Sequence, residues 1–230
     1  MNQRRLCWYV AVLAALLSGS IQAQSGFSQR GWWEGNTWAY PEAVAGDSGR
    51  FIGITRLHYE AGSVLGSSLS WRAGITAETD SLHEFRRDAR LFWFARSLQR
   101  PAVSITNASL RYHRGNYTAE AGKQVIRWGQ TDLWSPIDRF APRDFLYPME
   151  GEYLGVTGAR LMRTSDRNHV EAVYVPRFTP SRLPIAGQRW LSISGGRFED
   201  LGSRFPGGGQ FGVRWRATRG ESDYSLAYFE

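Results

Sequence analysis

The run from Val64 to Asp80 constrains this chain more than any other stretch. Leu65, Leu69, Trp71, Ala73, Ile75 and Ala77 fall on one phase of a two-residue repeat, and Ser68, Ser70, Arg72, Thr76, Glu78 and Asp80 on the other. Period two is the signature of a strand with one apolar and one polar face; a helix would repeat near 3.6. Strands of soluble proteins usually run only about 5–6 residues. A tilted strand crossing the hydrocarbon of a bilayer needs about 9–11, which this run exceeds. Its length therefore predicts a membrane-spanning strand.

The same phase recurs elsewhere. Over Phe51–Ala61, residues Phe51, Thr55, Leu57 and Tyr59 oppose Arg56, His58 and Glu60, with a tight turn expected at Gly62-Ser63. Val103–His113 and Tyr117–Gln124 read as a hairpin around Arg114-Gly115-Asn116, with Ala108, Leu110, Tyr112, Tyr117, Ala119 and Ala121 outward. Gln210–Arg219 puts Phe211, Val213, Trp215 and Ala217 opposite Arg214, Arg216 and Thr218, and Ser222–Glu230 follows with Tyr224, Leu226 and Tyr228 outward. Strands are also predicted over 27–40, 153–163 and 169–175, and a weaker one over 189–194. Ser81–Gln99 breaks the pattern, because Leu82, Phe85, Ala89, Phe92 and Trp93 recur at helical spacing, and it reads as a helix or an insert.

Composition narrows the setting. Met1 to Ala23 has the form of a cleaved secretory signal, with Arg4 and Arg5 before the apolar stretch Leu6–Leu17. That stretch is too short to span a membrane as a helix. Cys7, the sole cysteine, would leave with the signal, so the exported chain has no disulfide to rely on. Lys and Arg total 28 against 21 Asp and Glu, and Lys123 is the one lysine. Arginine's planar fork suits anions, but here it is spread along strands beside acids rather than gathered in a patch, which argues against nucleic acid.

Between Gly122 and Asp144 the chain reads GKQVIRWGQTDLWSPIDRFAPRD. Pro136 and Pro142 forbid a continuous helix or interior strand, and Trp128, Trp134, Phe140 and Phe145 argue against disorder. An ordered loop is predicted, held by pairs among Asp132, Asp138, Arg139, Arg143 and Asp144. Those aspartates lack the close spacing of a calcium loop, so no metal and no cofactor is expected. A second proline-marked loop, PRFTPSRLP, begins at Pro176.

At GKQVIRWGQTD, SPID and APRD the sequence resembles a group of Gram-negative outer-membrane barrels similar to porins and alginate-export channels. Gly122, Lys123, Gln124, Trp128, Gly129, Asp132, Pro136, Asp138, Pro142, Arg143 and Asp144 carry the likeness. The resemblance implies an all-β, antiparallel transmembrane barrel from residue 24 onward, located in the outer membrane. Such barrels are usually longer, so it also implies that these residues form the N-terminal portion of one. A barrel of this kind would be surrounded by outer-membrane lipid and would pass small, possibly anionic solutes.

Charges on the polar phase would line the lumen: Arg56, Arg72, Glu78, Arg111, Glu120, Arg214 and Arg216. An excess of arginine there would favour anions. Alternatively, these charges pair across the barrel and plug it. A third reading is a non-conducting component that holds a polysaccharide or lipid against Trp32, Trp33 and Trp38. No nucleophile elbow, HExxH or phosphate loop is present, and the four histidines are scattered, so no enzyme is expected.

Overall fold

In a computed structural model the described residues are 26–42, 51–81, 85–93, 100–129, 135–146, 151–183 and 204–230. They are all-β: β1 (Phe27–Ala39), β2 (Phe51–Leu65), β3 (Leu69–Asp80), β4 (Phe85–Phe92), β5 (Arg100–Arg114), β6 (Tyr117–Gln124), β7 (Arg143–Asp144), β8 (Glu152–Tyr153), β9 (Val156–Thr164), β10 (Asn168–Val175), β11 (Gln210–Arg219) and β12 (Ser222–Phe229). Ten of them make one sheet, ordered β1-β2-β3-β5-β6-β9-β10-β11-β12 with β4 beside β5. Every pair along that path is antiparallel.

Antiparallel order sorts the connections by end. The joins β2–β3, β5–β6, β9–β10 and β11–β12 are tight turns, and all four lie at the same end of the sheet. Gly66, Gly115 and Gly220 hold φ near +60° in three of them, a conformation that costs glycine little. Longer connections occupy the other end. β1 and β12 are the edges, and no ladder joins them among the described residues, so the sheet is open.

Three expectations are corrected. Val64–Asp80 is not one strand: Gly66–Ser68 turns the chain, and Leu65 pairs with Leu69. A three-residue turn puts those two leucines opposite each other on one face, so the alternation runs through the hairpin without a phase slip. Gly62 lies within β2, not in a turn; a Cβ there would stand 2.9 Å from the Trp71 carbonyl oxygen. Ser81–Gln99 contains a strand rather than a helix. β4 pairs in parallel with the start of β5, from Phe85 opposite Arg100 to Phe92 opposite Ser104. Since β3 already holds Val103 and Ser104, β4 takes the edge of β5 that β6 occupies farther along. Local spacing cannot reveal that pairing, because its partner lies beyond the segment itself. The strand predicted over 189–194 lies outside the described residues.

The two faces of the sheet differ in kind. One presents exposed apolar side chains, among them Trp33, Leu65, Leu110, Tyr112, Leu161, Tyr174, Trp215, Tyr224 and Leu226, the last 71% exposed. On the other, residues 125–129 and 135–146, between β6 and β9, fold back over the sheet. Ile126, Trp128 and Phe140 from that segment pack with Val156, Val173 and Val175 of β9 and β10, and with Phe229 of β12. The core therefore lies between the infolded segment and the inner face. A polar exterior with a dry interior would be the arrangement of a soluble sandwich; here the exterior is the apolar side.

The inner face and its infolded segment

Infolding begins from close backbone approaches that only glycine permits. Gly122 has φ +121°, and a Cβ there would lie 2.2 Å from the Ala108 carbonyl oxygen. At Gly129 a Cβ would meet Ser135 Cβ at 2.3 Å and Asp138 Oδ2 at 2.6 Å, and at Gly212 it would meet Phe140 at 2.8 Å and Trp128 at 2.9 Å. Asp138 Oδ1 accepts the backbone N–H groups of Trp128 (2.7 Å) and Gly129 (2.6 Å), closing the loop on itself. Trp128, 2% exposed, meets Phe140 edge-on at 5.2 Å and Phe229 at 5.0 Å. Its carbonyl accepts from Arg214 Nη1 at 2.8 Å, which ties the segment to β11.

Asp144 is the second anchor. Arg100 Nε donates to its Oδ2 at 2.8 Å and Arg182 Nη1 to the same oxygen at 2.6 Å, while Oδ1 accepts the Leu146 N–H at 3.1 Å. Burial raises the cost of its charge, but the two guanidiniums outweigh this and hold the carboxyl below its ordinary range. Arg182 belongs to the second proline loop. The Arg182 N–H donates to the Arg143 carbonyl and the Phe145 N–H to the Arg182 carbonyl, so the two loops are zipped together by backbone bonds. On the other side β7 pairs with β8.

The contacts seen at the two aspartates reach beyond the pairs expected within the loop. Among the described residues, Asp138 reaches the backbone of its own loop and Asp144 reaches Arg100 and Arg182 outside it. Arg143 and Arg127 each lie over the Tyr153 ring, 4.2 Å from its centroid, and Arg143 also donates to the Tyr153 hydroxyl. Arg139 is exposed. Asp132 and Trp134 lie outside the described residues.

The polar-phase charges assemble into two chains of ion pairs across the strands. In the first, Arg56 contacts Glu78 (3.0 Å), Glu152 (3.0 Å) and Glu34 (3.5 Å); Arg100 joins Glu78 (3.5 Å) to Asp144, and Asp144 leads to Arg182. In the second, Arg111 (2.8 Å) and Arg160 (2.7 Å) share Glu120, and Arg160 (3.7 Å) and Arg214 (2.9 Å) share Glu171. Register explains the second chain, since Arg111, Glu120 and Arg160 stand directly opposite one another on β5, β6 and β9, as do Glu171 and Arg214 on β10 and β11. Three arginines face four carboxylates in the first chain and three face two in the second, so the paired wall is close to neutral. Arg72 and Arg216 share the inner phase and form no ion pair among the described residues.

Sequence reasoning named Arg56, Glu78, Arg111, Glu120 and Arg214 but missed Arg100, Arg160, Glu171 and Arg182. Arg160 and Glu171 were findable, because they fall on the polar phase of their strands; Arg100 and Arg182 were not, because a neighbour far along the chain positions each. The three N-terminal tryptophans do not share a surface. Trp32 stacks on His58 at 4.0 Å and Trp38 packs with Ile52 and Ile54 on the inner face, whereas Trp33 stands on the outer face, 69% exposed.

Among the described residues no group of three or more His, Cys, Asp or Glu side chains is arranged to hold a metal ion. No helix there is long and apolar enough to cross a membrane, which does not bear on strands. No family model matches the chain, and no curated protein sequence matches it.

Proposed function

We propose that this chain forms the wall of an outer-membrane channel that passes small polar solutes past a constriction built by the infolded segment. One observation carries the reading: long antiparallel strands present an exposed apolar face outward and a charged, loop-covered face inward. That is the reverse of a water-soluble sheet and the arrangement a bilayer requires. Tight turns at one end and long connections at the other match the short periplasmic and long external connections of such barrels. Because the paired arginines are neutralised, anion preference falls to Arg72 and Arg216.

Planar-bilayer recording on protein purified from outer membranes tests the proposal. Discrete conductance steps are expected, with a reversal potential that favours anions modestly and shifts toward cations in the double variant Arg72→Glu, Arg216→Glu. Absence of steps from correctly inserted protein would remove the channel reading and leave a non-conducting membrane component.

A further inference from the structure

We propose that the outer face seats one anionic phospholipid, with an acyl chain laid along β6 and the phosphate held between Arg114 and Arg163. This rests on the membrane reading above and adds a ligand to it. A groove of about 470 Å³ opens on the outward side of β5, β6, β9 and β10. Its floor is Ala119, Ala121 and Ala159, and its walls include Leu110, Tyr112 and Leu161. Register makes it continuous: Ala121 lies opposite both Leu110 and Ala159, and Ala119 lies between Tyr112 and Leu161. Methyl side chains flanked by leucine and tyrosine leave a trench about one side chain deep, open to whatever surrounds the sheet.

The trench ends in charge. One row nearer the tight turns, Tyr117 stands opposite Arg114 on β5 and opposite Arg163 on β9. The Arg163 guanidinium lies 5.8 Å from the Tyr117 ring centroid. Both arginines are exposed, and neither forms an ion pair among the described residues. Asp166, the closest carboxylate to Arg163 along the chain, is not paired with it. Two guanidinium forks and a phenol side by side suit a phosphodiester, which offers several acceptor oxygens and a negative charge. From Tyr117 to Ala121 the strand rises about 14 Å at the usual ~3.4 Å per residue, which lets one ligand use both the cationic row and the apolar trench. The other outward rows near the tight turns carry aromatics such as Trp71 and Tyr224 without such a pair of arginines. Since the cationic row lies at the tight-turn end, the lipid would belong to the periplasmic leaflet.

Electron spin resonance on protein purified from outer membranes and reconstituted in phosphatidylcholine vesicles tests this, with spin-labelled phosphatidylglycerol or phosphatidylcholine as probe. Two arginines at a membrane surface predict roughly thirtyfold preference for the anionic probe in the motion-restricted component. That preference should vanish in Arg114→Gln, Arg163→Gln. In Ala121→Phe, which fills the trench and leaves the charges, the restricted component should fall for both probes. Vesicle insertion and conductance should be unchanged in all variants. Equal restriction of the two probes by inserted wild-type protein, or a preference that survives the double variant, would overturn the lipid seat alone. Failure of the wild-type protein to insert would overturn it together with the membrane reading.

Discussion

At the scale of single residues, Asp144 carries the most load per atom, because two buried guanidiniums depend on one carboxylate. Replacing it with asparagine removes the carboxylate that holds buried Arg182 and leaves Arg100 with its longer contact to Glu78, and a loss of about 3–5 kcal/mol is expected in denaturant unfolding of the detergent-solubilised protein. Arg143→Ala should cost clearly less, since Arg143 is only half-buried. The depressed Asp144 pKa also sets a pH dependence. Its contribution is fully present above the unfolded carboxyl value of about 3.9, and it is lost as pH falls through the lower folded value. Thermal midpoints should therefore drop below about pH 4, and the drop should be smaller in Asp144→Asn. An equal acid response in both proteins would show that other carboxylates control it.

At the scale of elements, the infolded segment is held by packing as much as by charge. Trp128→Ala removes the side chain that joins Phe140, Phe229 and β11, and core truncations of this size cost about 3–5 kcal/mol. The expected outcome is faster proteolysis within 125–146 while the sheet persists by circular dichroism, together with a larger unitary conductance. Gly129→Ala should act in the same direction, because its Cβ would stand well inside contact distance of Ser135 and Asp138. If the Trp128 variant kept wild-type protease resistance, the aromatic cluster would be incidental and the two aspartate anchors would suffice. β4 belongs to this scale too: its place is set by the free edge of β5 beyond the end of β6, not by its own pattern.

At the scale of the whole molecule, the direction of the edge strands matters. The continuous path from β1 to β12 contains nine strands, an odd number, so both edges run from the tight-turn end toward the long-loop end. Pairing β12 directly with β1 would make a parallel seam in an otherwise antiparallel path, and like-oriented copies side by side face the same mismatch. Antiparallel closure needs an odd number of further strands. An open edge in lipid leaves backbone groups unsatisfied at several kcal/mol each, and in water it invites aggregation. A polypeptide of residues 26–230 alone, refolded from urea into detergent, should therefore give aggregates without heat-modifiable mobility on gels. A sharp-melting, heat-modifiable monomer would mean that the edges close on each other after all.

Period-two alternation, turn glycines and prolines act over a few residues, so the all-β class, most strand positions and the outward and inward phases are legible in the chain itself. It even placed five of the charges that meet on the inner face, since phase is a local property. Tertiary structure decided what those charges do. Whether Arg214 lines an open bore or holds the Trp128 carbonyl depends on a loop that approaches it from 86 residues away in the chain. The same holds for Asp144, whose partners arrive from β5 and from the second proline loop, and for β4, whose partner edge is free only because β6 stops short. Such contacts are selected by shape and by the cost of leaving a buried charge unpaired, and neither quantity exists until the sheet has formed.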